Sequence, residues 1–206
     1  MGAKKIIIIG AGGHGRVVAE IARLNGYCDI KFLDDDKNNA LACGNISDYV
    51  DFLQDYSFFV AIGCNVVRER LQKQIEKGGG NIVTLIHPTA VLSSDMKIGK
   101  GVVVMAGVVV NTGAVIEDGC ILNTCSSVDH DCKIGRFSHI SVGVHIAGTV
   151  EIGERNFICA GATIINNLSI CSDCVIGAGA VVIDSIKEKG IYSGIPARLI
   201  QQGKHL

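Results

Sequence analysis

From Ile86 onward the chain keeps one beat: an aliphatic residue at every sixth position. The series runs Ile86, Leu92, Ile98, Val104, Val110, Ile116, Leu122, Val128, Ile134, Ile140, Ile146, Ile152, Ile158, Ile164, Ile170, Ile176, Val182, with no position failing. A helix repeats about every 3.6 residues and a strand every two, so neither explains a strict period of six. A solenoid with three flat faces does, because each hexad supplies one short strand and one corner, and three hexads close a coil. Four positions after the aliphatic comes a mostly small residue: Ala114, Cys120, Ser126, Cys132, Ser138, Ala162, Cys174, Ala180. A triangular prism has little interior volume, so this phase is expected to fill it, which makes Cys120, Cys132 and Cys174 packing residues. Gly99, Gly135, Gly153 and Gly177 follow an aliphatic directly, where a sharp corner favours a permissive backbone. By phase, Val102, Val108 and Phe157 are expected on the flat outer faces, as apolar surface that threefold packing of chains would bury.

The first 85 residues carry a different rhythm. Lys5 to Ile9 reads as a strand, Arg16 to Asn25 as a helix with Val17, Ile21 and Leu24 on one face and Gly26 closing it. A second strand, Ile30 to Leu33, ends in Asp34-Asp35-Asp36. Tyr49 to Leu53 reads as helical, Phe58 to Ile62 as a third strand, Val66 to Lys77 as a helix, and Ile82 to Ile86 as a last strand leading to His87-Pro88. Alternating strands and helices predict a small parallel sheet with helices on both faces.

Between the first strand and helix, Gly10, Gly12 and Gly15 satisfy G-x-G-x-x-G, with acids about 20 residues further on. Such glycines let backbone approach a pyrophosphate, and the helix N-terminus offers N–H groups to it. An NAD-linked enzyme would need the other half of a doubly wound sheet and a catalytic domain; half a sheet suits the pyrophosphate of a nucleotide sugar better. Asp34, Asp35 and Asp36 are candidates for a ribose or base donor, against a simple solvated turn after a strand.

Composition narrows the classes. A net charge of -1 over 206 residues gives no basic field for nucleic acid. Although 48% of residues are hydrophobic, no apolar run reaches the roughly 18 residues of a membrane span. No signal-peptide pattern precedes the first strand, so a cytoplasmic protein is expected. The 9 cysteines are odd in number and lack a secretory context, which predicts reduced thiols. Cys171-x-x-Cys174 has no second pair to complete a tetrahedral set, and no metal is expected.

The hexads resemble the hexapeptide acyltransferase superfamily, left-handed parallel β-helices that usually trimerise. Joined to a half-Rossmann α/β domain, they resemble the bacterial nucleotide-aminosugar N-acetyltransferases of the bacillosamine pathway and the related sialic-acid O-acetyltransferases. The likeness is carried by Gly10-Ala11-Gly12-Gly13-His14-Gly15, Phe32-Leu33-Asp34-Asp35, Ala61-Ile62-Gly63-Cys64-Asn65, Leu85-Ile86-His87, Ile121-Leu122-Asn123-Thr124, Val128-Asp129-His130-Asp131-Cys132 and Phe137-Ser138-His139-Ile140-Ser141-Val142-Gly143. It implies residues 1–85 as a nucleotide-sugar-binding domain and 86–206 as the β-helix for acetyl-CoA and catalysis, ending in a C-terminal tail. It implies His130 as general base and Asp131 as the acid orienting it, where relatives can carry Glu. Gly10, Gly12, Gly13, His14, Gly15, Asp34, Asp35, Gly63 and Asn65 are then expected on the nucleotide sugar. His139, Gly148, Ala160, Ala178 and, in the Gly194-Ile195-Pro196-Ala197-Arg198 segment, Pro196 and Arg198 are expected near coenzyme A, between the subunits of a homotrimer.

The repeat supports His130 independently. It lies two positions past Val128, outside the inward columns, and eighteen residues on the next coil brings Gly148 beside it. A glycine there leaves room for a thioester and offers its N–H to an oxyanion. His145 is expected as a surface imidazole, His87 as a linker residue and His205 as part of the tail. The expected reaction is acetyl transfer from acetyl-CoA to the 4-amino group of a UDP-linked amino-sugar. O-acetylation of a sialic acid or another sugar, a sugar-binding scaffold without catalysis, and an NAD-linked enzyme remain as alternatives.

Overall fold

The computed structural model describes residues 3–202, which form two compact units, Met1–His87 and Pro88–Leu206. His205 lies outside the described residues.

In the first unit, strands β1 (Lys4–Ile9), β2 (Tyr27–Leu33), β3 (Ser57–Val60) and β4 (Asn81–Ile82) form a parallel sheet in the order β2-β1-β3-β4. Ile6, Ile7, Ile8 and Ile9 are all fully buried, as a central strand covered on both faces demands. Ile7 and Ile9 meet Tyr49, Phe58, Leu71 and Ile75 in one core cluster; Ile6 and Ile8 alternate to the other face. Helix α1 (Gly13–Leu24) begins three residues before the position expected for it, directly at the glycines. Its buried stripe is Val18, Ala19, Ile21 and Ala22, whereas Val17 and Leu24 are exposed. The expected face was rotated because the small Ala19 and Ala22, not the larger Val17 and Leu24, allow the helix to lie close on the sheet. The helical reading at Tyr49 is a 3-10 helix, Ile46–Phe52, and helix α2 spans Asn65–Lys77. The expected strand Ile82 to Ile86 divides into β4 and a separate pair, Leu85–Ile86.

The second unit is a left-handed parallel β-helix of about six turns. Each two-residue strand ends on an aliphatic of the six-residue series and pairs with the strand eighteen residues away, as Ser127–Val128 does with His145–Ile146. The small phase is interior, and most of its polar members have partners, Ser126 Oγ being a buried exception. Cys120 Sγ donates to Gly135 O at 3.2 Å, Cys132 Sγ to Ala147 O at 3.1 Å and Ser138 Oγ to Gly153 O at 2.9 Å. At these three positions the thiol or hydroxyl satisfies a corner carbonyl of the next coil.

Two expectations about the repeat are corrected. Val102 and Val108 are fully buried, because they belong to the inward small phase rather than to an outer face; Phe157 alone of the three is outward and partly exposed. The left-handed backbone also falls elsewhere. It occurs three positions after each aliphatic from Ile98 to Ile176, at Gly101, Gly107, Gly113, Gly119, Cys125, Asp131, Phe137, Gly143, Thr149, Arg155, Gly161, Asn167, Asp173 and Gly179, with φ from 54° to 70°. The glycines directly after the aliphatics serve close approach of coils instead: a Cβ at Gly135 would meet the Gly153 carbonyl carbon at 2.5 Å. The C-terminal segment is not a simple tail: Gly190–Ser193 pairs antiparallel with Arg198–Gln202.

No helix among the described residues is long and apolar enough to cross a membrane.

Candidate active site and nucleotide crevice

In the first unit, the chain leaves β1 into α1 and β3 into α2, and these two adjacent strands send their helices to opposite faces. The carboxyl ends of β1 and β3 thus flank a topological switch point, where open α/β sheets leave a crevice. Gly10–Gly15, Asp34, Asp35, Gly63 and Asn65 gather at the carboxyl ends of β1, β2 and β3. The glycines divide into two groups. Gly10 has φ 101° and a Cβ would meet Ala61 O at 2.9 Å, while a Cβ at Gly15 would run into Gly10 O, so the fold itself requires both. Gly12 and Gly63 have nothing within 4 Å of a built Cβ, and Gly13 only the tip of Arg16. Packing within the protein does not explain these three, and their open space leaves backbone accessible there. Neither Gly12 nor Cys64, the N-cap residues of α1 and α2, makes a side-chain cap, which leaves both first turns to other acceptors.

The acids serve the loops. Asp34 accepts the Ala11 N–H at 2.7 Å and the Asp36 N–H at 2.9 Å, tying the glycine loop to the end of β2. Asp35 accepts the Ile46 N–H at 2.9 Å. His14 is half-buried; burial first, and the Arg68 charge second, lower its pKa to about 4. At neutral pH it is an uncharged hydrogen-bonding group.

In the β-helix, the corner Asp129–Cys132 carries the catalytic candidates. His130 Nδ1 lies 2.9 Å from Asp131 Oδ2, and both side chains are exposed. Asp131 occupies the left-handed corner position, φ 57°, which short polar residues tolerate better than most. Gly113, one coil earlier, makes space for its carboxylate: a Cβ there would meet Asp131 Oδ1 at 2.5 Å. On the other side, a Cβ at Gly148 would meet His130 Cε1 at 2.6 Å. The room that glycine leaves is filled by the imidazole itself, which lies across the neighbouring coil with Nε2 against Gly148. The Asp131 hydrogen bond, reinforced by the charges of Asp129 and Asp131, raises the His130 pKa above the ordinary imidazole value. With Nδ1 donating to Asp131, Nε2 is left as the proton acceptor.

The remaining expected residues form a second group. Ala160 and Ala178 are exposed and stack in successive coils at the corner before the strands Thr163–Ile164 and Val181–Val182. Pro196 and Arg198 follow beside them, since Ala197 N donates to Val181 O at 2.8 Å; Arg198 also reaches Asp184 at 3.5 Å. His130 and Gly148 sit at the corner after that same face, so the face is bounded by both groups. It holds a groove of about 400 Å³ lined by Ser127, Asp129, His145, Ala147, Thr163 and Asn166 among others. His145 lies in it, exposed, with Nδ1 2.9 Å from Ser127 Oγ. His139 is on a different face, buried, 3.2 Å from Asn123 Nδ2 and tilted against the Phe157 ring. Within one chain it is not brought to His130.

Two residues escaped sequence reasoning. Asp129 Oδ1 accepts both the His130 N–H at 2.8 Å and a hydrogen bond from Asn111 Nδ2 at 2.7 Å, which steadies the corner that carries His130; these bonds hold its carboxyl below the usual range. The eighteen-residue offset from Asn111 to Asp129 was the available signal. Arg68 is fully buried, at a position of the α2 stripe Arg68, Leu71, Gln72, Ile75 where a cation is out of place.

Residues 5–75 match the PglD N-terminal domain family. The chain is 30% identical to the GDP-perosamine N-acetyltransferase of Escherichia coli O157:H7, over 84% of this chain and 82% of that one. It is 32% identical to the UDP-N-acetylbacillosamine N-acetyltransferase of Bacillus subtilis over half of its own length, and the match spans about half (52%) of that relative. Among solved structures, the acetyltransferase domain of PglB from Neisseria gonorrhoeae, in complex with acetyl coenzyme A, superposes with a TM-score of 0.91 at 39% identity, covering 97% of this chain and 100% of that one. PerB from Caulobacter crescentus, in complex with CoA and GDP-perosamine, gives 0.91 at 36% identity, covering 96% and 98%. With the half-Rossmann unit, the hexad β-helix and these likenesses in agreement, the chain belongs to the nucleotide-aminosugar N-acetyltransferases of the hexapeptide-repeat family.

Proposed function

We propose that the protein transfers the acetyl group of acetyl-CoA to the 4-amino group of a UDP-linked amino-sugar. The observation that carries the chemistry is His130, oriented by Asp131 and seated against Gly148. The neutral amine attacks the thioester carbonyl carbon, and His130 Nε2 accepts the proton that the nitrogen sheds. Asp131 stabilises the imidazolium, and the Gly148 N–H donates to the oxyanion as the tetrahedral centre forms. Collapse breaks the C–S bond, and the imidazolium returns its proton to the departing thiolate of CoA. The nucleotide end of the acceptor belongs in this reading at Gly12, Gly13, His14 and Gly63, with Asp34, Asp35 and Asn65 shaping the rim. Uridine is put forward as the base by analogy with the Bacillus relative.

Coenzyme A is assigned to the face between the two corner groups, and a homotrimer is assigned to cover it. Exposed apolar residues support this: Val91, Val142, Ile165 and Ile183 all lie on that face or its two corners. The next face, with outward Lys97, Lys133, Glu151 and Ser169 beside one apolar residue, Val115, is mostly polar. His139 of a neighbouring copy is the coenzyme contact in this arrangement. Sedimentation at micromolar concentration is expected to give a trimer; a monodisperse monomer would remove the shared site.

The deciding test is CoA release with UDP-linked and GDP-linked 4-amino-sugars, their 4-hydroxy counterparts, and CMP-linked and free sugars. Fastest turnover is expected for the UDP-linked amine. A faster hydroxyl acceptor would replace the reading with O-acetylation, and release with none of them would overturn it.

A further inference from the structure

Arg68 is the first residue of the buried stripe of α2, and its side chain is fully buried. Its guanidinium turns back to the β3–α2 turn. Nη1 donates to Ile62 O at 2.9 Å and to Gly63 O at 3.1 Å, and Nη2 donates to Asn65 Oδ1 at 2.8 Å. One planar fork thus binds two backbone carbonyls and one side-chain oxygen of the turn that closes the crevice beside the glycine loop. Peptide units are planar and trans, so a carbonyl drawn toward Arg68 turns the N–H of the following residue away from it. The Ile62 and Gly63 carbonyls therefore aim the Gly63 and Cys64 amides outward, in line with the uncapped first turn of α2. A Cβ at Gly63 would meet nothing, so packing within the protein does not call for a glycine in this turn. The same cation acts on the other side of the crevice, since its charge is the second cause of the lowered His14 pKa.

We propose that Arg68 is the positioning residue of the nucleotide site: it holds the Gly63–Asn65 turn with its amides toward the ligand, and touches no substrate itself. This rests on the reading that the nucleotide sugar binds at the carboxyl ends of β1 and β3. A lysine would keep the charge but could not span two carbonyls and an amide oxygen, because an ammonium is a point donor rather than a fork.

The test is steady-state kinetics of Arg68→Lys and Arg68→Met for both substrates, with Gly12→Val as a reference for the crevice. Both Arg68 variants are expected to raise KM for the nucleotide sugar about tenfold or more, with saturated kcat and the acetyl-CoA KM within about twofold of wild type. In the ligand-free protein, NMR titration should show the His14 pKa rising in Arg68→Met and staying near wild type in Arg68→Lys. If Arg68→Met does not fold, Arg68→Lys carries the kinetic test alone. A raised KM in Gly12→Val with an unchanged KM in folded Arg68→Lys overturns the positioning role and leaves the site standing. Unchanged KM in both Gly12→Val and Arg68→Lys overturns the site and the role together.

Discussion

His130 and Asp131 are neighbours in the chain, yet their side chains meet, Nδ1 to Oδ2, at 2.9 Å. Neighbours in an extended segment point to opposite sides. The left-handed backbone at Asp131, φ 57°, turns its carboxylate back onto the ring. The corner geometry of the solenoid thus builds the base–acid pair from adjacent residues. A fixed pair of this kind predicts that His130→Ala lowers kcat about 10²–10⁴-fold while acetyl-CoA still binds. Asp131→Asn should lose less, since Asn also tolerates the left-handed corner and leaves the base in place. A His130→Ala enzyme retaining more than about a third of wild-type kcat would remove His130 from the proton transfer.

The base must be unprotonated to work, so activity rises with pH as His130 deprotonates. Its pKa is raised chiefly by the Asp131 hydrogen bond, then by the charges of Asp129 and Asp131. The acid limb of kcat/KM is therefore expected above the ordinary imidazole value of about 6.5. Replacing Asp131 or Asp129 by Asn removes a negative neighbour, disfavours the imidazolium and should move that limb to lower pH. A limb that stays in place in both variants would mean another group titrates.

Gly148 is where the imidazole lies, and a Cβ would collide with it. Gly148→Ala is expected to displace the ring and lower kcat about 10²-fold, the scale of an ångström-sized misplacement. The KM for nucleotide sugar should hold, because the crevice is in the other unit. Wild-type kcat in a folded Gly148→Ala protein would show that the ring position is not critical.

Gly12 and Gly15 belong to one motif but predict opposite phenotypes. Gly12→Val places its Cβ where the protein has no atom within 4 Å, so the melting temperature should stay near wild type while KM for the nucleotide sugar rises about tenfold or more, equivalent to about 1.4 kcal/mol. Gly15→Ala drives a methyl into Gly10 O and should cost about 1–3 kcal/mol of stability. Calorimetric melting beside substrate kinetics separates the two; equal melting temperatures would contradict the division.

The corners offer a stability test remote from chemistry. Thr149 is β-branched and sits at φ 60°, a conformation costing L-residues about 1–2 kcal/mol. Thr149→Gly relieves it, less the extra chain entropy of glycine of about 0.5–1 kcal/mol, for a net gain of about 0.5–1 kcal/mol. Gly135→Ala should do the reverse, because its methyl meets the Gly153 backbone. A lowered melting temperature for Thr149→Gly would count against strain at the corner.

The six-residue beat alone determined the solenoid, because one column of aliphatics from Ile86 to Val182 admits no other periodic structure. The strand-glycine-helix pattern likewise determined a parallel half-sheet, and the offset of eighteen was enough to put Gly148 beside His130. Local periodicity reports which positions recur, and these features depend on recurrence only. Val102 and Val108 stand four positions after Ile98 and Val104, so the beat itself held their interior phase and the outer-face expectation misassigned it. What local periodicity could not report elsewhere is which way a position faces. Val17 and Leu24 look like the buried edge of α1 until the sheet is present to select Ala19 and Ala22. The left-handed corner passes from Gly113 to Asp131 to Thr149 without a shared residue type, so composition does not mark it. Arg68 reads as one more charge on a surface helix, because its role depends on carbonyls of a turn that exists only after β3 and α2 have packed. Tertiary structure decided these because burial, backbone hand and hydrogen-bond direction are set by neighbours distant in sequence.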